Sequence, residues 1–368
     1  MPRRGENIRK RADGRWEGRY KPKGATKYDS VYGKTYTEVK YKLKMVSQEP
    51  VAKNQEPEIK LLKDMETICL EWLEVVKITL KQSSYAGYHT ILTNHIIPYF
   101  KSTLPKGITS EMLQSFIQYK TENAKIEAKR VRDIFSVLIQ IIAYCEKKEY
   151  ISVFPMDIKL PKSEDTELPV LTKVEQMRLT SYLNANLSLD TIGILIALTT
   201  GIRLGELCAI TWNDIDLEAE TIRINKTVQR IKNTEENAKT KTIVIIDTPK
   251  SKKSIRTIPL PAFLIQILRE YKIKYRCTDY FLTGKSRYKD TRTYQDRFKK
   301  ILNNAGIEPT NFHACRHTFA TRAIEAGADI KSLSEILGHS SVRFTLDRYV
   351  HSSNEQKKIC IEKMVVNF

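Results

Sequence analysis

The chain has 368 residues, enough for two or three domains at the usual size of ~100 to 200 residues each. Its composition, 41% hydrophobic and 29% charged, is typical of globular proteins, and no apolar run approaches the ~20 residues of a membrane span. A membrane protein and a small disulfide-stapled protein are therefore excluded. The net charge of +19 exceeds the ~2 to 8 units that solubility requires, and it favours a polyanionic partner.

The cysteines and the N-terminus bear on the cellular compartment. The six cysteines, at positions 69, 145, 208, 277, 315 and 360, stand far apart and never form a CxxC pair. This spacing favours free thiols in a reducing cytoplasm over a disulfide framework or a zinc finger. The basic N-terminus MPRRGENIRKR is not followed by an apolar stretch, so we expect neither a secretory signal nor export.

The most basic part of the chain is residues 1–48, which carry 14 Lys and Arg residues against five acidic ones. Asp13-Gly14 is a hairpin turn signal between two short strands, a third strand should follow, and Thr35 and Glu38 have the spacing of a helix capping box. Such a three-stranded sheet with one helix can present a basic face to a DNA groove. The side chains expected to bind DNA are Arg9, Arg11, Arg15, Arg19 and Lys21.

Two segments with the composition of linkers divide the rest of the chain. Residues 47–58 are polar with two prolines, and residues 155–169 contain three prolines and four acids. Between them, apolar residues recur at helical spacing, as in the run from Met65 to Val76. The predicted domains are residues 1–48, 59–160 and 169–368.

The third domain has a mixed pattern. Thr172 and Glu175 form a capping box, and an apolar helix is predicted around residues 192–198. Two β-rich runs follow at residues 221–231 and 242–247, and helices return from Pro261.

A set of polar residues in this domain follows a distinctive order. It comprises Arg203 and Glu206, a lysine-rich turn at Lys250, His313 and Arg316 in an HxxRH segment, His339 after Leu-Gly, and Tyr349. Four of the six histidines fall between residues 313 and 351. Arginine binds phosphate through two parallel hydrogen bonds, histidine can donate to a phosphoryl oxygen or move a proton, and a tyrosine hydroxyl can attack phosphorus.

Four segments carry a resemblance to a known family. In order, TTGIRLGELCAITWNDID, TPKSKKSIRTIPLP, HACRHTFATRAIEAGADIKSLSEILGHSS and TLDRYVH closely resemble the tyrosine recombinases, especially the integrases of temperate phages and conjugative transposons. This resemblance covers residues 169–352. The segment SSYAGYHTILTNHIIPYF resembles the family's helical core-binding domain, and residues 1–48 resemble, less specifically, the arm-binding domain of transposon integrases.

The resemblance implies a role for each position of the set. Arg203 and Arg316 would clamp the scissile phosphate, and His313 and His339 would donate to its nonbridging oxygens or handle the tyrosine proton. Tyr349 would be the nucleophile, leaving a 3′-phosphotyrosyl link and a free 5′-hydroxyl. Because the link stores the phosphodiester bond, neither a metal ion nor another cofactor is expected.

In this family a lysine on a β-hairpin protonates the leaving 5′-oxygen. Lys250 occupies the matching position, although Lys252 and Lys253 lie close enough in the sequence to be alternatives. Glu206 matches an acid that orients an arginine or a histidine, and we expect it to be a supporting residue. His317 should support the site as well.

A metal site is the main competing interpretation of the histidines. His313 and His317 have the i,i+4 spacing of zinc ligands. The zincin pattern requires a glutamate directly after the first histidine as general base, and this chain has Ala314 there. We therefore predict no metal.

The resemblance predicts a site-specific DNA recombinase that integrates and excises a mobile element. The alternatives are a relaxing topoisomerase of type IB, which uses the same phosphotyrosine chemistry, and a catalytically silent DNA-binding regulator. Separate basic and helical domains favour the recombinase, because bridging two DNA sites needs an additional binding module. The intact set of polar residues disfavours a silent protein.

The family also implies partners and a location. The expected partners are double-stranded DNA at core, arm and target sites, further copies of the chain in a tetramer, and an accessory excision or DNA-bending protein. We expect no contact with a membrane and a nucleoid-associated location in a bacterial cytoplasm.

The predicted fold is mainly α with small β-sheets in a multidomain chain. It combines an α+β N-terminal arm-binding domain, an all-α core-binding domain and a mixed α/β tyrosine recombinase catalytic domain. After Tyr349, Ser353 and Gln356 have capping-box spacing, and apolar residues recur as far as Phe368. This tail should dock either on its own catalytic domain or on a neighbouring protomer.

Overall fold

The computed structural model of this protein describes most of the chain. The described residues are 7–21, 27–48, 63–154, 156–163, 168–235, 238–249, 252–276, 278–349 and 362. The chain divides into a unit of residues 1–63 and a larger unit of residues 64–368, and each is described by itself. The predicted general acid Lys250 and the predicted tail helix at Ser353 lie outside the described residues.

The N-terminal unit is a three-stranded antiparallel sheet with one helix, as predicted. Its elements are Ile8–Lys10 (β1), Trp16–Tyr20 (β2), Asp29–Gly33 (β3) and Tyr36–Gln48 (α1). Val39 on α1 is completely buried, and Trp16 meets Tyr36 edge-on with 5.3 Å between ring centroids. One face of the sheet therefore packs on the helix.

The region of residues 64–163 is helical. Its helices are Met65–Lys77 (α2), Gln82–Ile91 (α3), Ile97–Phe100 (α4), Ser110–Gln118 (α5) and Ala128–Lys147 (α6). Asp64 and Thr109 cap α2 and α5 by accepting hydrogen bonds from backbone N–H groups of the first turn. The apolar faces of these helices enclose one core, which includes Trp72 and Phe116.

The remaining described helices lie between residues 168 and 349 and surround a second core and a smaller cluster, which consists of Ala320, Leu333, Leu337 and Tyr349. They are Lys173–Ala185 (α7), Leu189–Thr200 (α8), Leu204–Ala209 (α9), Ala262–Lys272 (α10), Thr291–Asn304 (α11), His313–Glu325 (α12), Ile330–Leu337 (α13) and Val342–Tyr349 (α14). The predicted capping box of Thr172 and Glu175 is confirmed by reciprocal hydrogen bonds. None of the described helices is long and apolar enough to cross a membrane.

Two small antiparallel sheets accompany these helices. Their strands are Ile215–Asp216 (β4), Thr221–Ile224 (β5), Thr227–Lys232 (β6), Thr242–Asp247 (β7) and Arg256–Pro259 (β8). One sheet has the order β4-β5-β8, and β6 and β7 form a separate hairpin. The β-rich run at residues 221–231 thus divides between two sheets, and at the break Asn225 and Lys226 both donate to the carboxylate of Asp214.

The helical region contacts the β6–β7 hairpin within the larger unit. Lys81, which directly precedes α3, donates from Nζ to the carbonyl oxygens of Thr248 and Pro249 at 2.7 and 3.3 Å. The same ammonium group lies 3.1 Å from the carboxylate of Asp247. The backbone that leads into Lys250 is therefore held by the helical region.

Candidate active site

Two helix ends bring Arg203 and Glu206 together. Helix α8 ends at Gly201, whose backbone is left-handed at φ 63°, and α9 begins directly after Arg203. Glu206 lies in the first turn of α9, where its carboxylate accepts from the Arg203 backbone N–H at 3.0 Å and from Arg203 Nη1 at 2.8 Å. Glu206 thus caps the start of α9 and at the same time fixes the guanidinium group of Arg203.

Arg316, on α12, is buried with 2% of its surface exposed. Its Nη1 donates to the carbonyl oxygen of Gly201 at 2.8 Å, and its Nη2 donates to the carbonyl oxygen of Leu337 at 2.8 Å. Burial, followed by repulsion from Arg203, lowers the pKa of Arg316 to about 9. The group is still charged at pH 7, and carbonyl oxygens at the ends of two helices hold it in place.

His339 follows Gly338, the left-handed residue that ends α13. Arg316 Nη2 lies 2.7 Å from His339 Nε2, so Nε2 is the acceptor, and Nδ1 donates to Thr345 Oγ1 at 2.8 Å. Burial, followed by repulsion from Arg316 and Arg203, lowers the pKa of His339 to about 3. The ring is therefore neutral at pH 7.

Tyr349, at the end of α14, is 8% exposed, and its hydroxyl oxygen lies 2.9 Å from Nδ1 of His317. Its ring is parallel to that of His339, with 6.3 Å between the centroids. Burial raises the pKa of the Tyr349 hydroxyl and lowers the pKa of His317 to about 4, so both groups are neutral at pH 7. His317, expected only to support the site, directly contacts the predicted nucleophile.

His313 begins α12 and is exposed, with its ring edge-on to that of His317 at 4.7 Å between centroids. Desolvation, followed by repulsion from Arg316 and Arg203, lowers the pKa of His313, although the ring still reaches solvent. The structure therefore brings the predicted site residues into one cluster, apart from the lysine. Its members are Arg203, Glu206, His313, Arg316, His339 and Tyr349.

Arg256, to which the sequence motifs assigned no role, completes this cluster. Its Nη2 donates to Oε2 of Glu206 at 3.0 Å and its Nη1 to Oε1 at 3.3 Å, and the two side chains are 6% and 3% exposed. Burial alone would raise the pKa of Glu206, but the charges of Arg256 and Arg203 outweigh it and lower the pKa. The signal that could have identified Arg256 is alternation, since it shares the inward face of β8 with Ile258.

The segment between β7 and β8 carries the candidate lysines. Lys250 lies outside the described residues, and only the backbone of Lys252 is described. Lys253 donates from Nζ to the carbonyl oxygen of Ser340 at 2.9 Å, next to His339 in the sequence. The segment thus reaches the cluster, and the choice of Lys250 as general acid stays a prediction.

In the N-terminal unit, most of the predicted DNA-binding side chains surround Glu17. The arginines within 3.4 Å of its carboxylate are Arg9, Arg11 and Arg19. The hydrogen bond from Arg19 contributes most to lowering the pKa of Glu17 to about 2. Arg15 pairs instead with Asp13, and Lys21 lies over the ring of Tyr28. DNA binding by these side chains stays a prediction.

The cluster in the larger unit has the chemistry of an anion site with a nucleophile. Three guanidinium groups and one carboxylate give it a positive charge, which suits a phosphodiester. The two histidines of the cluster and the adjoining His317 are neutral at pH 7 and can accept or relay protons, and the tyrosine supplies an oxygen nucleophile. Over the described ranges, no group of three or more His, Cys, Asp and Glu residues could hold a metal ion.

Comparison with known proteins relates this arrangement to one family. The profile of the phage integrase family matches residues 169–356, and the profile of a phage integrase N-terminal SAM-like domain matches residues 65–121. A relative named tyrosine recombinase XerC-like, from Caldanaerobacter subterraneus subsp. tengcongensis, is 29% identical over 321 residues, which cover 80% of this chain and 80% of that protein.

Two solved structures share the fold. The integrase of transposon Tn1549, in complex with transposon right end DNA, has a TM-score of 0.66 at 20% identity, with 81% of this chain and 99% of that chain covered. A lambda integrase tetramer bound to a Holliday junction has a TM-score of 0.57 at 16% identity, with 96% of this chain and 99% of that chain covered.

Proposed function

This chain belongs to the phage integrase family of tyrosine recombinases, and we propose that it cuts and rejoins DNA through a 3′-phosphotyrosyl intermediate to integrate and excise a mobile element. The observation that carries the proposal is the buried tyrosine hydroxyl within a cluster of guanidinium groups and neutral histidines. The likeness in fold to a transposon integrase and to lambda integrase supports a mobile element as the substrate.

In this mechanism Arg203 and Arg316 bind the scissile phosphate. The Arg203 side chain is 36% exposed, so its outer edge is accessible to a DNA phosphate, whereas Arg316 lies beneath as a fixed charge. His313 and His339 donate to nonbridging oxygens. In this structure, His339 accepts a hydrogen bond from Arg316. A phosphate would accept from Arg316 in place of His339. Its negative charge would also raise the proton affinity of His339, because it offsets the repulsion from the guanidinium group.

In the cleavage step, the Tyr349 oxygen forms a bond to phosphorus, and its proton passes to one of the neutral histidines. The bond from phosphorus to the 5′-oxygen breaks, and Lys250 protonates the leaving oxygen. Glu206 orients Arg203. Since the phosphotyrosyl link conserves the phosphodiester bond, the 5′-hydroxyl of a partner strand can reverse the step without ATP or a cofactor.

We assign arm-site binding to residues 1–48, core-site binding to residues 59–160 and catalysis to residues 169–368. The separate N-terminal unit and the two family matches support this division. Four protomers on two duplexes, assisted by an accessory excision or DNA-bending protein on the bacterial nucleoid, complete the proposal. The tetramer of lambda integrase on a Holliday junction supports the assembly of four.

Covalent capture tests the proposal. Nicked suicide duplexes from the ends of the host element should trap the wild-type protein as an adduct on a denaturing gel. Tyr349→Phe removes only the attacking oxygen, so this variant should bind the same DNA and form no adduct. Tyr182→Phe is a matched control, because it removes a hydroxyl that contacts Asn304 elsewhere in the catalytic region, and it should form the adduct normally. An adduct with Tyr349→Phe would contradict the assignment.

A further inference from the structure

Arg256 joins segments of the cluster that are far apart in the sequence. It stands at the start of β8, six residues after Lys250, with a side chain that is 6% exposed. Its Nε donates to the carbonyl oxygen of Ile336 near the end of α13. Its Nη1 and Nη2 both donate to the carboxylate of Glu206, and Nη1 donates in addition to the carbonyl oxygen of Ser254 at 3.0 Å. Each guanidinium nitrogen therefore has a protein acceptor, which argues against direct contact with DNA.

The Glu206 carboxylate is shared between two arginines. Its Oε1 lies 2.8 Å from Arg203 Nη1 and 3.3 Å from Arg256 Nη1. Its Oε2 accepts from Arg256 Nη2 and from the Arg203 backbone N–H, both at 3.0 Å. Arg203 therefore uses only Nη1 on the carboxylate, and its Nη2 lies 3.5 Å from the carbonyl oxygen of Gly338. The outer edge of Arg203 remains available to a phosphate.

The turn that carries His339 packs against the same guanidinium group. A β-carbon added at Gly338 would lie 3.0 Å from Arg256 Nη1 and 3.2 Å from its Cδ. Arg256 also binds the carbonyl oxygen of Ile336, two residues before Gly338. The path of the chain into His339 therefore depends on where Arg256 lies.

We propose that Arg256 is a positioning residue for DNA cleavage, an inference that rests on the proposed function. It orients Arg203 through Glu206 and His339 through the end of α13, and it ties both to the segment that carries the lysines. Without Arg256, Arg203 would be the one charged partner left to the buried Glu206 carboxylate. Both carboxylate oxygens could then accept hydrogen bonds from the Arg203 guanidinium group. Arg203 would then turn its outer edge toward Glu206 and away from the phosphate.

Single-turnover cleavage of a suicide duplex at saturating protein separates positioning from DNA binding. We expect Arg256→Met to slow this rate, per folded molecule, by about 10- to 100-fold, with less than about a twofold change in the Kd for DNA. Arg256→Lys keeps the charge but cannot bind both carboxylate oxygens and the Ile336 carbonyl at once. It should recover only part of the rate.

A double-mutant cycle with Glu206→Gln tests the route through the carboxylate. In the Glu206→Gln background, adding Arg256→Met should slow cleavage by less than about threefold, because no charged carboxylate remains to draw Arg203 away. The double variant also lacks the unpaired buried charge, so it remains measurable where Arg256→Met alone folds poorly.

Arg322→Met provides a matched control on α12. Arg322 binds the carboxylate of Glu325 at 2.8 Å and the carbonyl oxygen of Leu171 at 2.7 Å, without touching the cluster. Its loss should lower the Tm and leave the cleavage rate of the folded protein unchanged.

Three results would count against the inference. A less stable Arg256→Met protein that cleaves at the wild-type rate would overturn the positioning role and leave the proposed function standing. If Arg256→Met slowed cleavage by the same factor in the Glu206→Gln background as in the wild-type protein, Arg256 would not act through Glu206. A wild-type protein that forms no adduct would overturn both the function and the inference.

Discussion

Arginines surround one glutamate in each unit of this protein, but the two clusters differ in exposure. The arginine side chains around Glu17 are 41–59% exposed, whereas those on Glu206 are less exposed, at 6% for Arg256 and 36% for Arg203. Both carboxylates are themselves buried, at 2% and 3% exposure. The same residue types therefore form an open cluster at Glu17 and a closed cluster at Glu206.

Exposure determines what each cluster can do. In the open cluster, solvent screens the charges and the guanidinium groups can turn toward a phosphate, which suits contacts with the phosphate backbone of DNA. In the closed cluster, the carboxylate and backbone carbonyl oxygens fix each guanidinium group, which suits one phosphate geometry. We therefore expect substitutions to change affinity and salt dependence in the first and rate and stability in the second.

The largest effect should come from the predicted general acid of the catalytic region. Lys250→Ala should slow single-turnover cleavage by about 10²- to 10⁴-fold, because it removes the general acid. A substrate with sulfur in place of the bridging 5′-oxygen should restore most of the rate, since a thiolate leaves without a proton. Lys252→Ala is the matched control, and rescue of that variant by sulfur would transfer the role to Lys252.

Removing the central carboxylate tests the difference in burial directly. Glu206→Gln leaves Arg256 buried without its charged partner and should lower the free energy of unfolding by about 3 to 5 kcal/mol. Glu17→Gln should change it much less, because the arginines around it remain hydrated. Denaturant and thermal unfolding of the full-length variants measure both effects, and equal losses would contradict the comparison.

Acid should also distinguish the clusters. The pKa values of His317 and His339 are lowered to about 4 and about 3 from 6.5, so the unfolded chain takes up protons first as the pH falls below 6.5. Stability should decline between pH 6.5 and about 4, by about 1 to 3 kcal/mol per histidine. His317→Asn should flatten this part of the unfolding profile, and an unchanged slope would show that the ring is not buried as a neutral group.

The open cluster should respond in a different pH range. Residues 1–48 contain no histidine, and the pKa of Glu17 is lowered from 4.5 to about 2. Its contribution to stability is present above pH 4.5 and is lost only as the pH falls toward 2.

The smallest effect is expected from the open cluster itself. Replacing Arg9, Arg11 and Arg19 by Gln should weaken binding to arm-site DNA and flatten the plot of log Kd against log salt by about 1 for every phosphate that the variant no longer binds. DNA that carries only the core site should bind as before. Titrations at several salt concentrations measure both, and an unchanged slope would remove these arginines from the DNA interface.

Local signals in the sequence were sufficient for much of the fold. The capping box of Thr172 and Glu175 acts within three residues, and the apolar run of α8 identifies a buried helix without any knowledge of its partners. The division of the run at residues 221–231 could not be predicted in this way. At the break, Asn225 donates to Asp214, which lies 11 residues earlier in the chain and outside the run itself.

The candidate site was predictable as a set of residues but not as a set of interactions. The motifs identified Arg203, Arg316 and Tyr349, whereas the role of Arg256 depends on a carboxylate 50 residues away. The hydrogen bond of His317 with Tyr349 spans 32 residues and requires α14 to pack beside α12. Such interactions follow from the fold as a whole, so a short motif does not contain them.

The glycines that end α8 and α13 constrain how relatives of this chain can be recognised. Gly201 and Gly338 are both left-handed, at φ 63° and 64°, and their carbonyl oxygens lie next to the guanidinium groups of Arg316 and Arg203. A β-carbon at Gly201 would lie 2.5 Å from the ring of Phe319. A sequence search that demands only the charged residues would therefore accept chains that cannot assemble the site. A search that also demands glycine two positions before the arginine and directly before the histidine would select chains whose helices stop where the chemistry requires.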